Sequence, residues 1–280
     1  MFGADARPIF EDEGFELTGG DLPEVDITDR ASLAAFMEGK SCDAVLNAAA
    51  FTNVDGAECQ RMEAFRVNAQ GVRTLAEACQ ERKVLLVHIS SDYVFPGHKR
   101  EGYKPFDKPG PAVNAYGESK LAGERAMAET LPSNQFLICR TQWLYGRTGR
   151  SFVETIRKVA QVRGTLKVVN DQWGVPTRTT ELARQICALL KLKARGYAHT
   201  VGGGGPITWY DFAKEIVALS EVACDVQPCT SEEFPRPALR PEQAWLVNTT
   251  VPKGAVRHWR ESLKEYLEER GEGGGGETRG

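Results

Sequence analysis

VLLVHISSDYVFPG, residues 84–97, decides the fold. Its opening run is apolar except at His88 and Ser90 and shows no polar alternation. A short run apolar on both faces reads as a strand buried on both sides, as in a parallel sheet covered by helices. The run breaks into Ser90, Ser91, Asp92 and Tyr93. A polar cluster at the carboxyl end of a strand is where open α/β sheets receive ligands. Working outward, residues 43–50 (DAVLNAAA) and 136–140 (FLICR) read as further buried strands. Between them, residues 64–82 place Phe65, Val72, Leu75, Ala76 and Cys79 at helical spacing, and residues 115–131 are rich in Ala, Glu and Lys. Strands alternating with helices, joined by right-handed crossovers, predict an α/β, doubly wound parallel sheet.

Beyond Trp143 the rhythm changes. Helices are predicted over 151–162, 179–193, 209–220 and 260–269, with short strands at 166–170 and near 199–202. Residues 232–241 (EEFPRPALRP) contain three prolines and read as ordered loop or sheet edge. Two units are expected: the sheet unit, residues 1–145 and 178–205, and a smaller one, residues 146–177 and 206–270. The glycine-rich tail, 271–280, has no apolar residue and is expected to be disordered.

The 35 basic and 38 acidic side chains give a formal charge of −3, with no basic excess to point to nucleic acid. No apolar run approaches the ~20 residues that span a bilayer, and the N-terminus lacks an export pattern. A cytoplasmic location is the default. The seven cysteines are scattered without CxxC spacing, and the four histidines show no metal-ligand spacing.

In NAYGESKLAGE, residues 114–124, Tyr116 and Lys120 stand one helical turn apart on one face. Reducing a carbonyl by hydride transfer requires a proton for the nascent alkoxide. A phenol supplies it when its pKa, ordinarily about 10, is brought down, and a lysine ammonium nearby favours phenolate. Such a pair is common in helices without any function. Ser91, at the end of a buried strand, adds an independent part of the same mechanism: a hydroxyl that polarises the substrate carbonyl.

Together SSDYVFPG, YGESKLAGE, RTQWLYG (140–146) and NDQWGVPT (170–177) resemble the extended short-chain dehydrogenases/reductases, and more closely the dTDP-4-dehydrorhamnose reductase family. The resemblance implies a Rossmann-like NAD(P)-binding unit and a substrate-binding unit. It implies reduction of the C4 keto group of dTDP-6-deoxy-L-lyxo-4-hexulose by NADPH or NADH, giving dTDP-L-rhamnose. Ser91, Tyr116 and Lys120 fall on the catalytic positions, and Ser91, Asp92, Tyr93 and Trp143 on the substrate side. Asp26, Ile27, Ala48, Ala49, Ala50, Phe51 and Thr52 fall along the cofactor, with Tyr116 and Lys120. Asp26 could equally belong to a helix cap. Family members can dimerise, some with magnesium held by acidic residues. Glu181 lies in a matching segment, whereas Asp5 replaces an expected Glu, and magnesium use stays open.

The glycine-rich phosphate turn is not found in the chain. Gly3 matches its last part, so a strand and most of the turn, roughly a dozen residues, are expected upstream of Met1. The alternative is a shortened, repurposed chain. Two other functions compete: another nucleotide-sugar reductase or epimerase, and a non-catalytic regulatory subunit. The latter has no need of Ser91, Tyr116 and Lys120 together.

Overall fold

The computed structural model describes residues 2–272. The chain opens with α1 (Phe2–Asp12) and α2 (Arg30–Met37), the latter capped by the Asp29 carboxylate. Strand β1 (Ala44–Asn47) leads through the short helices α3 (Val54–Cys59) and α4 (Arg61–Phe65), a π-helical turn (Arg66–Gly71) and α5 (Val72–Arg82) to β2 (Leu85–Ser91). Helix α6 (Ala115–Thr130) returns to β3 (Phe136–Thr141). There follow α7 (Phe152–Val162), β4 (Thr165–Val169), α8 (Thr179–Lys191) and β5 (Gly196–His199). The chain ends in α9 (Trp209–Leu219), β6 (Asp225–Cys229) and α10 (Trp259–Glu272).

Strands β1, β2, β3 and β5 form one sheet in that order, every pair parallel. The apolar runs are explained by cover on both faces. Val87, Leu137 and Cys139 pack against Phe2 and Phe10 of α1 and Leu182 and Ile186 of α8. Leu86 and Ile138 point the other way, onto Val72 and Leu75 of α5 and Met127 of α6. This is the doubly wound arrangement the sequence predicts. Strand β1 is an edge. Among the described residues nothing pairs with its outer side, and Ala44, Val45 and Leu46 are only half-buried.

A separate core joins α7, α9, α10 and the parallel pair β4–β6, centred on Val153, Phe212, Ile216, Leu263 and Tyr266. Several elements depart from the sequence reading. The helix predicted over 64–82 is interrupted by the π turn, and the strand expected near 199–202 lies at Gly196–His199. Strand β6 was not predicted, because it contains Pro228 and two polar positions. It survives as the outer partner of a two-stranded ladder, where a missing donor is tolerated. Helix α10 continues through Glu272, two residues into the expected tail, and the rest of that tail lies outside the described residues.

Candidate active site

Strand β2 ends in Ser91, whose hydroxyl organises the tight turn that follows. Its Oγ accepts from the Tyr93 N–H at 3.2 Å and donates to Asp92 Oδ1 at 2.8 Å. Asp92 is buried, and Gln142 Nε2 donates to its other oxygen at 3.2 Å. Burial pushes this carboxyl up to about 7, against the pull of those hydrogen bonds.

Helix α6 starts at Asn114, whose side chain accepts from the Gly117 N–H at 2.8 Å. Position 117 must be glycine: a Cβ there would lie 2.3 Å from the Tyr93 carbonyl oxygen. That close approach sets Tyr116 against the end of β2. Its ring meets Tyr93 edge-on at 5.5 Å, and its hydroxyl lies near enough to Ser91 for that side chain to act on its pKa. Burial, then the Asp92 charge, pushes the phenol up to about 12, and Ser91 only partly offsets this.

Lys120 is placed differently from the expectation. It is buried, and its Nζ turns to the strand floor, donating to the Ile89 carbonyl at 2.7 Å and lying 3.3 Å from His88 Nε2. Burial lowers it to about 8, with the Glu124 charge pulling back up. The ammonium is therefore not what tunes the phenol in this arrangement. Ser91 and Tyr116 are neighbours at the strand end, whereas the Lys120 amine is turned to His88 and the Ile89 carbonyl.

Trp143, on the expected substrate side, sits at φ +48°. A bulky residue there is strained, and such strain concentrates at functional sites. It is held by stacking on Trp209, ring centroids 3.5 Å apart, and by Gly174, where a Cβ would lie 2.2 Å from the indole. Sequence reasoning missed Arg240 and Arg236. Arg240 lies beside Tyr93 and donates to Asp55 Oδ1 at 2.6 Å, and Arg236 donates to Asp55 Oδ2 at 2.6 Å. These bonds, led by Arg240, hold the Asp55 carboxyl far below the usual range. They clamp the proline-rich segment to the start of α3, and Asn114 adds a bond to the Leu239 carbonyl at 2.7 Å. The available signal was a pair of arginines spaced by prolines, without any hint of their partner.

The end of β1 forms a shelf beside α6. Ala48, Ala49 and Thr52 are exposed, and Ala50 and Phe51 half-buried. Asn68, on the π turn, exchanges two hydrogen bonds with the Phe51 backbone, 2.9 and 3.0 Å, and donates to Ser119 at 2.9 Å. It was also missed, because a π bulge re-aims one residue without changing the apolar period. Ile27 packs against Gly71 of the same turn, where a Cβ would meet it at 2.9 Å. Asp26 accepts from the Thr28 N–H and hydroxyl, both at 2.8 Å, and those bonds lower its pKa. It shapes the turn before α2, while Asp29 is the helix cap.

The acids considered for magnesium have other partners. Glu181 is paired with Arg184 and Arg257, and Asp5 accepts from Thr179 at 2.5 Å and from the Arg147 N–H at 2.9 Å. Among the described residues no cluster of three metal-ligating side chains occurs.

A parallel sheet that brings a hydroxyl, a tyrosine and a lysine to one strand end and one helix defines the short-chain dehydrogenase/reductase class. Within it, residues 1–271 match the family described as the RmlD substrate binding domain, and the chain belongs to that family. A dTDP-4-keto-6-deoxy-D-glucose reductase of Streptomyces niveus is 38% identical, covering 86% of this chain and 84% of the relative. A dTDP-4-dehydrorhamnose reductase of Streptomyces griseus is 36% identical, covering 95% and 89%. Among solved structures, the dTDP-4-dehydrorhamnose reductase of Clostridium acetobutylicum superposes with a TM-score of 0.90 at 38% identity, covering 96% of both chains. That of Bacillus anthracis, in complex with NADP, gives 0.89 at 32%, covering 96% and 95%. No helix among the described residues is long and apolar enough to cross a membrane.

Proposed function

We propose that this chain reduces the C4 keto group of dTDP-6-deoxy-L-lyxo-4-hexulose to give dTDP-L-rhamnose, using NADPH or NADH. The observation that carries the reading is the Ser91–Tyr116 pair at the end of β2, with the phenol held protonated. Reduction needs an acid, and a phenol pushed up to about 12 carries its proton throughout the neutral range. Ser91 donates to the substrate carbonyl in place of its bond to Asp92, and Tyr116 delivers the proton to the developing alkoxide. Lys120 orients the nicotinamide ribose from below. The cofactor supplies the hydride when bound, and the NADP in the Bacillus anthracis relative favours NADPH. The small side chains of Ala48, Ala49 and Ala50 fit close approach of a dinucleotide, with Phe51, Thr52, Asp26 and Ile27 along it.

On the other side, Asp92 and Tyr93 border the sugar and Trp143 lines it. Arg240, beside the Tyr93 hydroxyl, supplies positive charge suited to a diphosphate. The sheet unit thus serves the cofactor and the smaller unit the nucleotide sugar. The Streptomyces niveus relative favours a second reading, a dTDP-4-keto-6-deoxy-D-glucose substrate. Oxidation of NADPH is followed by its absorbance with each sugar, for the wild type and Tyr116→Phe. The proposal expects turnover with the lyxo-hexulose and a loss of roughly 10²–10⁴ in the variant. Equal rates in both proteins, or turnover with the gluco isomer alone, count against it.

A further inference from the structure

The indole of Trp143 has no free face, and that limits how it can meet a ligand. Trp143 stands two residues beyond Thr141, which pairs with Ser91 in the register of β3 on β2. It therefore shares the sheet edge that carries Ser91. One face of the indole lies on the Trp209 ring, centroids 3.5 Å apart and planes inclined by 13°. Nothing fits between rings at that spacing. The other face lies on Gly174. A Cβ there would be 2.2 Å from the indole Cε2 and 2.6 Å from each of its neighbours, Cζ2 and Nε1. An approach in the ring plane, from outside Cε2, would bring those two neighbours nearer than Cε2 itself. They are farther, so the glycine sits over the ring, on the side away from Trp209.

Both walls of this slot belong to one short structure. Trp173–Gly174 pairs antiparallel with Ile207–Thr208, and Trp209 follows as the first residue of α9. Reciprocal bonds fix the start of that helix. The Thr208 N–H donates to Asp211 Oδ2 at 3.1 Å, and the Asp211 N–H donates to Thr208 Oγ1 at 3.1 Å. Phe152, the first residue of α7, backs the Trp209 ring at 4.4 Å. The indole therefore cannot swing to uncover a face without breaking a helix cap or an aromatic stack.

An aromatic ring commonly receives the C–H groups of a sugar on its negative face. Here both faces are taken, and what remains is the edge. Among the described residues nothing accepts from the Trp143 Nε1–H, and this nitrogen is not shut off from solvent. An indole nitrogen is a donor only. Its partner must therefore bring an acceptor oxygen, and an apolar patch of the ligand would leave the donor unpaired.

We propose that Trp143 is a specificity-determining residue that reads the nucleotide-linked hexose through its indole N–H, donated to a hydroxyl oxygen of the sugar ring, and that Trp209 is the positioning residue that holds the indole edge-on. The inference rests on the substrate side given to Trp143 above.

The test is a 1H–15N spectrum of the full chain labelled on its five tryptophans, with NADP present. The indole signal lost in Trp143→Phe assigns the one required. On addition of dTDP-L-rhamnose that signal should move downfield and its exchange with water should slow; dTDP alone should do neither. In calorimetric titration Trp143→Phe should bind dTDP-L-rhamnose about tenfold more weakly, the loss expected of one hydrogen bond, and dTDP as tightly as the wild type does. In Trp209→Leu the Trp143 signal should lose its response to the sugar, and Trp209→Phe, which restores a stacking ring, should recover it. If Trp209 were merely structural, Trp209→Leu would lower stability and leave the response intact, which overturns its positioning role. Turnover of the lyxo-hexulose with an unmoved Trp143 signal, or a signal that moves equally with dTDP, overturns the proposal and leaves the reductase reading standing. The expected response to dTDP-L-rhamnose in a chain without turnover counts against the reductase reading alone. A chain that shows neither response nor turnover overturns both.

Discussion

Replacing Glu124 by Gln tests whether the polar layer under the active-site helix is held by one buried ion pair. Arg140 and Glu124 are 1% and 2% exposed, and the guanidinium donates through Nε at 2.9 Å and through its second terminal nitrogen at 2.7 Å. Its third donor reaches the Pro105 carbonyl at 3.0 Å, and its faces lie over the Phe95 and Tyr197 rings at 4.9 and 4.8 Å. Ser90 donates to the same carboxylate at 2.6 Å. Gln keeps the shape but removes the negative charge, and turns one acceptor into a donor facing donors. A buried guanidinium without its counter-ion costs about 3–5 kcal/mol. At about 2 °C per kcal/mol for a chain of this size, the melting temperature should fall by roughly 6–10 °C. Calorimetry or urea unfolding measures it. The variant that also changes Arg140 to Met should recover more than half of the loss, because no charge is then left unpaired. A fall below about 1 kcal/mol for Glu124→Gln, or a double variant equal to the sum of the singles, would refute the reasoning.

Two further outcomes follow from the site. Gly174→Ala puts a methyl 2.2 Å from the Trp143 indole, so the ring must move. The KM for the sugar should rise roughly tenfold or more, at a stability cost of about 1–3 kcal/mol, with KM for NADPH unchanged; steady-state kinetics that show an unaltered sugar KM would remove Trp143 from the substrate side. The second concerns Asp92, raised to about 7 in the folded protein against an ordinary carboxylate of about 3.9 unfolded. The folded chain binds the extra proton between those values, so this group makes stability fall as pH climbs from about 4 to 7 and stay level above. Asp92→Asn should remove that part of the slope, and urea unfolding at intervals across the window that shows the same slope in both proteins would contradict it.

The legible parts of this molecule are those where one local requirement dominates. Leu86, Val87, Leu137 and Ile138 are apolar in succession because both sheet faces are covered, and no other environment demands that run. The place of Ser91 could be read because polar residues end the apolar run, and that of Tyr116 because a helix begins just before it. What could not be read depends on contacts between distant parts. Arg240 acts through Asp55, 185 positions away, and loop composition carries no trace of that partner. Trp143 is held by Gly174 and Trp209, which are distant from it in sequence. Lys120 shows the limit most clearly. Helical spacing placed it on the face of Tyr116, but the direction of its amine depends on His88 and the Ile89 carbonyl.

Helix α6 explains how these requirements coexist in one element. Up to Glu124 it buries mainly small or polar residues, Gly117, Ser119, Lys120, Gly123 and Glu124, beside Leu121, and beyond that it buries Ala126 and Met127. Two of the small positions are contacts. A Cβ at 117 would lie 2.3 Å from the Tyr93 carbonyl, and one at 123 would lie 2.1 Å from that of Asn68. Each glycine costs the helix about 1 kcal/mol relative to alanine. The first brings Tyr116 beside the end of β2, and the second seats the π turn that carries Asn68 to the Phe51 backbone. The weak half is anchored by Asn114 at its cap and by the Glu124–Arg140 pair below. Its apolar half joins the sheet core through Met127. Substitutions in the second half should therefore act on stability alone. Those in the first half should change turnover and stability together, because the same close approaches that pack the helix also position the phenol.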